Sequence, residues 1–329
     1  SPRTRIFSRI FKRTPCLRSS GKQTHPPKAV IFMDPLIYID RADGNKKIES
    51  VYGAKALAFL YGPGRLGPLL GTLSARLPFV SATYGWWQKQ RWTKCKILPF
   101  ITRFQIDSNE FLVPVAHFSS FNDFFIRKLK PEVRPLNDAP AVIPADGRYY
   151  FYQDLTACDG YIIKGKKFSL EALLKDKHLA ERYAHGSLMM ARLCPSDYHR
   201  FHFPCDGTHA IPRLINGPLY SVNPFAVKQH LNIFTENKRV ITEISSPLFG
   251  KVLYIEVGAT NVGSILHTSD PGKTYKKGEE KGYFSFGASA LIVIFEKGKI
   301  VFDEDLLEAT QQGNEIRCLV GQSMGKSVD

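Results

Sequence analysis

The chain has 329 residues, of which 43% are hydrophobic and 23% are charged. These proportions are typical of a globular protein and argue against a disordered or fibrous one. The apolar runs, such as 291–295, are no longer than a strand, so no transmembrane helix is expected. The six cysteines include no Cys-x-x-Cys pair, which excludes a recognisable zinc ribbon and favours a reducing compartment.

The net charge of +15 is concentrated at the start of the chain, because residues 1–33 hold eight Lys or Arg and no acid. Such a leader is typical of a transit peptide, of a basic arm for anionic lipid or nucleic acid, or of a disordered extension. Met33 is an alternative natural start. The remaining chain shows no RRM-like or helix-turn-helix pattern, so no nucleic acid partner is expected.

Residues 54–92 alternate leucines and aromatics with Gly and Pro, which predicts short amphipathic helices broken around 62–67. The three tryptophans, Trp86, Trp87 and Trp92, lie here among basic residues. Amphipathic aromatics beside cations suit a membrane interface, although a helical subdomain packed on the core fits the same pattern. We predict a helical, membrane-facing region over 34–118, within which residues 36–50 are polar and turn-rich.

The rest of the chain, 119–329, predicts an α+β domain with a largely antiparallel β core. We expect helices at 119–135, ended by Pro131, and at 168–184. The predicted strands are 148–153, 161–164, 238–245, 251–257, 290–296 and 299–303.

The densest polar cluster is Asp197–Pro204, in which His199 and His202 are three residues apart. General acid–base chemistry is one use, because histidine titrates near neutral pH. Two unrelated histidines are the structural alternative. A metal site is not expected, because the cluster has no recognised ligand spacing.

Three further segments are ambiguous when taken singly. Asp146 precedes Gly147 and reads as a turn, and Gly258–Ser264 has small residues that allow close backbone approach. Ser289 stands among small residues at a strand entry, without the following Gly of a nucleophile elbow.

Together and in this order, the segments resemble the phosphatidylserine decarboxylase family of self-cleaving pyruvoyl enzymes, in particular the chlamydial branch with a Phe-Gly-Gly-Ser-Thr processing site. The similarity begins near Met33, and its most specific parts are the paired-histidine motif and the Gly-Ala-Thr-Asn-Val-Gly-Ser segment. The matching stretches are 120–131, 144–147, 197–204, 215–224, 237–239, 257–265 and 277–289.

The resemblance implies that Ser289 attacks the carbonyl of Ala288, with Asp146 and His202 as the acid and base of the self-cleavage. It implies subunits of 1–288 and 289–329 that stay together, and a pyruvoyl group formed from Ser289 as the only cofactor. That group would form a Schiff base with phosphatidylserine and release CO₂ and phosphatidylethanolamine, with His199 as proton donor. Asn261, Gly263 and Ser264 are the candidate substrate-binding residues.

One departure is Ala288-Ser289-Ala290, where this branch has Gly-Ser-Thr. We expect slow but real maturation, because the acyl shift needs neither the glycine nor the threonine hydroxyl. A processing-deficient phospholipid-binding homologue and a Ser-His-Asp lipid hydrolase remain alternatives. The expected location is peripheral, on the cytoplasmic face of a bacterial inner membrane or, alternatively, on the mitochondrial inner membrane. A homodimer is expected by analogy only.

Overall fold

A computed structural model describes residues 35–62, 64–156, 161–163, 166–167, 169–229, 232–259, 265–287 and 289–328. The basic leader over 1–33, Ala288 and the candidate substrate residues Asn261, Gly263 and Ser264 lie outside these residues.

The strands are β1 Ile37–Asp40, β2 Lys46–Ile48, β3 Ala141–Val142, β4 Gly147–Tyr152, β5 Tyr161–Ile163, β6 Lys166–Lys167, β7 Ser187–Leu193, β8 Arg200–His202, β9 Gly207–His209, β10 Arg213–Ile215, β11 Arg239–Ser246, β12 Gly250–Gly258, β13 Ile265–His267, β14 Thr274–Tyr275, β15 Glu280–Phe284, β16 Ser289–Phe295, β17 Ile300–Phe302, β18 Glu315–Cys318 and β19 Ser323–Ser327. The helices are α1 Ala54–Tyr61, α2 Leu66–Arg76, α3 Pro78–Gln88, α4 Ile97–Phe104, α5 Phe121–Phe125, α6 Leu170–Leu174, α7 Lys177–Arg182, α8 Pro224–Gln229, α9 Ile233–Glu236 and α10 Glu304–Gln311. Single 3₁₀ turns cover Arg91–Lys96, Ser108–Glu110, Val115–His117 and Pro131–Val133.

An 11-stranded sheet runs through the molecule in the order β14-β9-β11-β12-β16-β7-β4-β18-β1-β2, with β10 paired to β11. Its described pairs are antiparallel apart from β1 with β18. A three-stranded sheet, β13-β15-β8, carries one of the paired histidines. The predicted α+β class with a largely antiparallel core is confirmed.

The central strand β16 reads Ser-Ala-Leu-Ile-Val-Ile-Phe and is buried along its whole length. Side chains of a strand alternate between the faces of its sheet, so such an apolar run fills two cores. Leu291, Val293 and Phe295 enter one buried cluster, and Ala290 and Ile292 enter the other. The processing strand is therefore fixed on both faces.

The six predicted strands are confirmed, and most of their predicted ends lie within one or two residues of the observed ends. Both predicted helices, 119–135 and 168–184, are wrong in extent. The first is only α5, which ends before Ile126, and Pro131 begins a separate 3₁₀ turn instead of closing a helix. The second is interrupted at Lys175, whose φ of 49° is left-handed, so α6 and α7 are separate. Residues 36–50, expected to be turn-rich, form the β1–β2 hairpin.

Helices α1–α4 are present where amphipathic helices are predicted. They leave many large apolar side chains exposed, including Phe59, Leu66, Leu69, Leu73, Phe79, Trp86, Trp87, Trp92 and Leu98. Within the described part of the chain, none of the helices has both the length and the apolar character required to span a bilayer.

Candidate active site

Ser289 is the first residue of β16, where it pairs with Gly258 of β12 and Leu193 of β7. Its side chain is completely buried, and its Oγ has no hydrogen-bond partner among the described residues. An unsatisfied buried hydroxyl costs about 1–3 kcal/mol, so such a group in a native structure calls for a functional explanation. A hydroxyl with no competing partner is available for reaction.

His199 lies between β7 and β8 and is completely buried. Its Nδ1 is 3.0 Å from the carbonyl oxygen of Asp197, and its Nε2 has no hydrogen-bond partner in the described part of the chain. Burial lowers the pKa of His199 to about 4, and the nearby backbone of Gly287 opposes that shift slightly. The imidazole is therefore neutral at pH 7 and close to the segment that precedes the predicted cleavage.

Aromatic packing fixes this neighbourhood. The rings of His199 and Phe125 are 3.9 Å apart, and Phe125 is 4.9 Å from the ring of Phe286. The amide of Phe286 also donates a hydrogen bond of 3.0 Å to Oδ1 of Asn122 in α5. The segment Ser120–Pro131, noted in the sequence only as a matching stretch, thus holds the residues just before the cleavage position.

His202 lies on β8, and its Nδ1 is 2.9 Å from the carbonyl oxygen of Gly278. Its Nε2 has no partner among the residues described. Burial lowers the pKa of His202, while the charges of Glu280 and Asp146 act in the opposite direction. The ring stacks on Tyr198 at 5.8 Å and lines a cavity of about 230 Å³.

Asp146 is buried at the start of β4 and is bound by Arg134. Arg134 Nε is 3.1 Å from both carboxylate oxygens, and its Nη2 is 2.7 Å from Oδ2. The backbone amide of Val320 donates to Oδ1 at 2.9 Å. In the described structure Asp146 makes no hydrogen bond to His202, although its charge is close enough to affect that ring.

The structure therefore brings Asp146 into electrostatic range of His202, and His199 next to Gly287. Among the described contacts, neither histidine is hydrogen-bonded to Ser289. The acid, base and nucleophile roles of these residues stay predictions.

Sequence reasoning missed two arginines of this region. Arg134 binds Asp146, and the fully buried Arg127 donates to the carbonyl oxygens of Ser196 and Asp197 at 3.0 and 3.2 Å. The Arg127 guanidinium also lies over the rings of Phe111 and Phe124 at 5.3 and 4.9 Å. A buried arginine was not evident because Arg127 stands in a basic run that resembles a solvated helix face.

A cavity of about 500 Å³ opens beside the predicted cleavage position. Helices α1, α3 and α4 form one wall, and the segments 193–196 and 221–223 form another. Among the lining residues, Phe286 and Gly287 are buried, whereas Ala56 and Arg103 are exposed. The lining therefore includes both surface residues and buried residues that come shortly before β16 in the chain.

Part of the cavity lining, Glu49 and Arg192, belongs to a buried network of charges. Arg192 binds Glu315 and Glu49, and Arg148 binds Glu49 and Asp197. A second buried ion pair joins Lys281 to Glu256 of β12, and Glu256 also lies 3.1 Å from Nε2 of His267. The side chains of Lys281 and Glu256 are completely buried.

Comparison with known sequences identifies the family of the chain. The profile of the phosphatidylserine decarboxylase family matches residues 121–326. The chain is a member of that family. The phosphatidylserine decarboxylase proenzyme of Chlamydia pneumoniae is 49% identical over 292 residues, which are 88% of this chain and 97% of that protein. The Chlamydia caviae proenzyme is 49% identical over 298 residues, 90% of this chain and 99% of the relative. The Chlamydia muridarum proenzyme is 46% identical over 292 residues, with shares of 88% and 97%.

The phosphatidylserine decarboxylase resemblance inferred from the sequence is thereby confirmed, together with the enzyme class of carboxy-lyase. The relatives are named as proenzymes, that is, as precursors that are processed. Processing into subunits is thus a property of the named relatives, and the predicted cleavage position lies at the start of the central strand of this chain.

Proposed function

We propose that this chain converts phosphatidylserine to phosphatidylethanolamine and CO₂ after cutting itself between Ala288 and Ser289. The observation that carries the proposal is the buried, unpartnered Oγ of Ser289, in a member of this family. Its strand partner Leu193 and the nearby Gly287 line the cavity.

The self-cleavage uses only groups of the chain. Ser289 Oγ attacks the carbonyl carbon of residue 288 and loses its proton to a base, and the C–N bond breaks so that an ester replaces the amide. β-Elimination then breaks the ester C–O bond, releases the carboxylate of residue 288 and leaves dehydroalanine at 289. Tautomerisation and hydrolysis by one water release ammonia and leave a pyruvoyl group.

His202 is the proposed base. When its Nδ1–H donates to the Gly278 carbonyl, the lone pair of Nε2 is free to take a proton. The lowered pKa of His202 keeps the ring neutral at pH 7. Asp146 contributes a negative charge that favours the imidazolium formed during proton transfer, which is the role of the acid in such an arrangement.

The environment of residue 289 fits a pyruvoyl group, because the buried Oγ has no hydrogen-bond partner among the described residues and leaves a polar position open there. When formed, that group supplies a carbonyl that binds the substrate amine and accepts the electrons left by CO₂. His199 is the proposed proton donor to the product carbon. Its pKa of about 4 makes any proton that Nε2 takes up easy to pass on.

The small subunit, 289–329, contains β16–β19 and α10. After cleavage, β16 would still pair with β12 and β7, β18 with β4, and β19 with β3. Because every one of these partners belongs to the large subunit, we expect the two pieces to remain associated without a covalent link.

The exposed apolar face of α1–α4 is the proposed contact with the bilayer. Trp86 and Trp92 are 59% and 60% exposed and pack edge to face at 6.4 Å. Lys96 lies 5.1 Å from the ring of Trp87. Apolar side chains with flanking cations favour an anionic lipid surface, and the same helices line the cavity. A peripheral location at the membrane follows from this proposal.

Intact-protein mass spectrometry of the purified chain, beside Ser289→Ala, tests the proposal. A separate fragment of 41 residues with a pyruvoyl N-terminus, absent from the variant, is the expected result. A single uncleaved chain after long incubation would contradict self-processing and favour a non-catalytic phospholipid-binding protein. Labelling of Ser289 by a fluorophosphonate would favour a hydrolase, because a pyruvoyl group has no hydroxyl to label.

A further inference from the structure

Two arginines line the cavity, and their partners differ. Arg192 is buried, and its Nε and Nη2 donate to the two oxygens of Glu315 at 2.5 and 2.6 Å. Its Nη1 and Nη2 also donate to Glu49 at 3.1 and 2.6 Å. Two carboxylates thus balance the charge of this guanidinium and occupy its donors. Arg192 is therefore a poor binding group for an anionic ligand.

Arg103 is different, because it forms no ion pair with any described residue. It stands in the last turn of α4 with its side chain exposed, and its guanidinium lies 5.3 Å from the ring of Phe104. Its charge acts on the phenol of Tyr52, which lines the same cavity. Among the described residues that line the cavity, Arg103 is therefore the cation without a counterion.

The exposure of this cation is also distinctive. The lining residues closest to Ser289 in the chain, Phe286 and Gly287, and its strand partner Leu193 are all buried. Arg103 is exposed, and it belongs to the helices whose apolar face is the proposed membrane contact. A ligand that enters from the bilayer would therefore meet the exposed guanidinium before its head reaches the buried residue 289.

We infer that Arg103 binds the phosphodiester of the phospholipid substrate. It therefore selects serine that carries a phosphodiester over serine that lacks one. The inference rests on the proposed function, which places the substrate amine at residue 289. The substrate carboxylate, which leaves as CO₂, is a poor partner for this cation. An ion pair would stabilise the charged ground state, and that stabilisation would be lost as the carboxylate becomes neutral CO₂. The phosphodiester keeps its charge throughout and matches the planar, multidentate donor set of arginine.

Steady-state kinetics of the matured enzyme test this assignment with two soluble substrates. Glycerophosphoserine carries the phosphodiester, and O-ethylserine has the same amine and carboxylate without it. Arg103→Gln is expected to raise the KM for glycerophosphoserine roughly 10- to 100-fold, as for loss of a hydrogen bond between charged groups. The KM for O-ethylserine and both kcat values should stay unchanged, and Arg103→Lys should restore part of the difference.

Arg91→Gln is the matched control, because Arg91 is an exposed cation of the same helical region outside the cavity lining. It should leave both KM values unchanged. Equal KM values for Arg103→Gln and the unmodified enzyme would overturn the assignment, and so would an equal rise for both substrates.

A second measurement separates this inference from the proposed function. Calorimetric titration of the Ser289→Ala precursor with glycerophosphoserine requires no catalysis, and Arg103→Gln should weaken the binding by a similar factor. An unmodified chain that never decarboxylates would contradict the proposed function, while the calorimetry still decides the phosphate site. If Arg103→Gln weakens only the binding of phosphatidylserine vesicles and not that of glycerophosphoserine, Arg103 contacts bulk lipid and the assignment is wrong.

Discussion

The Asp146 carboxylate is held by the Arg134 guanidinium, with Nη2 2.7 Å from Oδ2, and not by the neighbouring imidazole of His202. The carbonyl of Gly278 takes the orienting hydrogen bond of that imidazole. A backbone oxygen therefore orients the ring, and the carboxylate that is paired with Arg134 acts on the ring through its charge.

This division predicts the effect of Arg134→Met. Removing the guanidinium leaves Asp146 buried and unpaired, which should destabilise the precursor by about 3–5 kcal/mol. The uncompensated charge should also raise the pKa of His202. On acidification this ring should then become protonated at a higher pH than in the unmodified chain, and self-cleavage should slow at that higher pH. The cleaved fraction against time between pH 5 and 8 measures this shift. Arg134→Lys is the control that keeps the charge, and a pH profile identical in both variants would contradict the argument.

The two alanines beside Ser289 are predicted to have unequal effects. Side chains alternate along β16, so Ala290 points away from Ser289 into the apolar cluster with Ile255, Val257 and Ile292. A threonine at 290 would place its hydroxyl on that opposite face, and Ala290→Thr should change the cleavage rate less than twofold while lowering stability by about 1 kcal/mol.

Ala288→Gly should instead accelerate self-cleavage, by roughly tenfold if alanine there adds about 1.4 kcal/mol to the barrier. Gel densitometry of precursor and fragments after rapid purification gives both rates. A larger acceleration by Ala290→Thr than by Ala288→Gly would show that the hydroxyl, and not the backbone freedom, is what this chain lacks.

The sequence indicated the central strands well, because a short apolar run such as 290–296 is too short for most helices and is typical of a buried strand. It missed β7, whose Arg192 interrupts the apolar pattern, because the two carboxylates that make this burial possible come from Glu49 and Glu315, far away along the chain. The candidate site residues were chosen by their motifs, and their roles stay predictions. Their partners were not, because contacts such as Asp146 with Arg134, and His202 with Gly278, depend on how distant loops pack.

The buried pair of Lys281 and Glu256 predicts a double-mutant test. Lys281 Nζ contacts Glu256 Oε1 and is 3.1 Å from Oγ1 of Thr242, and both charged groups are fully buried. Lys281→Met leaves the buried carboxylate without its cation and with only His267 nearby among the described residues, and should lower the free energy of unfolding by about 3–5 kcal/mol. Lys281→Met combined with Glu256→Leu should recover most of that loss in urea denaturation. A double variant less stable than Lys281→Met would show that the pair has no such coupling.

The exposed apolar face predicts a separation of membrane binding from chemistry. Leu69 is 64% exposed on α2, and each buried leucine contributes about 2 kcal/mol to transfer out of water. Leu69→Gln with Trp86→Ser should therefore reduce sedimentation with anionic vesicles more than tenfold, yet leave turnover of glycerophosphoserine unchanged. Ile211→Gln is the control, since Ile211 is 82% exposed on the segment between β9 and β10 and does not belong to these helices. Equal loss of binding in the control would contradict docking by this face.

Burial of His199 predicts how stability depends on pH. In the unfolded chain this histidine takes up a proton below about pH 6.5, whereas in the folded protein burial lowers its pKa to about 4. Acid therefore protonates the unfolded state first. The contribution of His199 to the free energy of unfolding is constant above about pH 6.5, and it is lost as the pH drops from 6.5 towards 4. The full loss corresponds to about 3 kcal/mol, at about 1.4 kcal/mol for each pH unit. His199→Gln cannot titrate and should flatten the curve in this window.

Urea unfolding of the Ser289→Ala precursor, with and without His199→Gln, measures this dependence on uncleaved protein between pH 4.5 and 7.5. His178 has a fully exposed side chain, so His178→Gln should leave the slope unchanged. If His199→Gln retains the slope, the acid sensitivity arises elsewhere, and His202, which is also buried with a lowered pKa, becomes the group to replace. A slope that disappears would show that His199 is held neutral in the folded precursor.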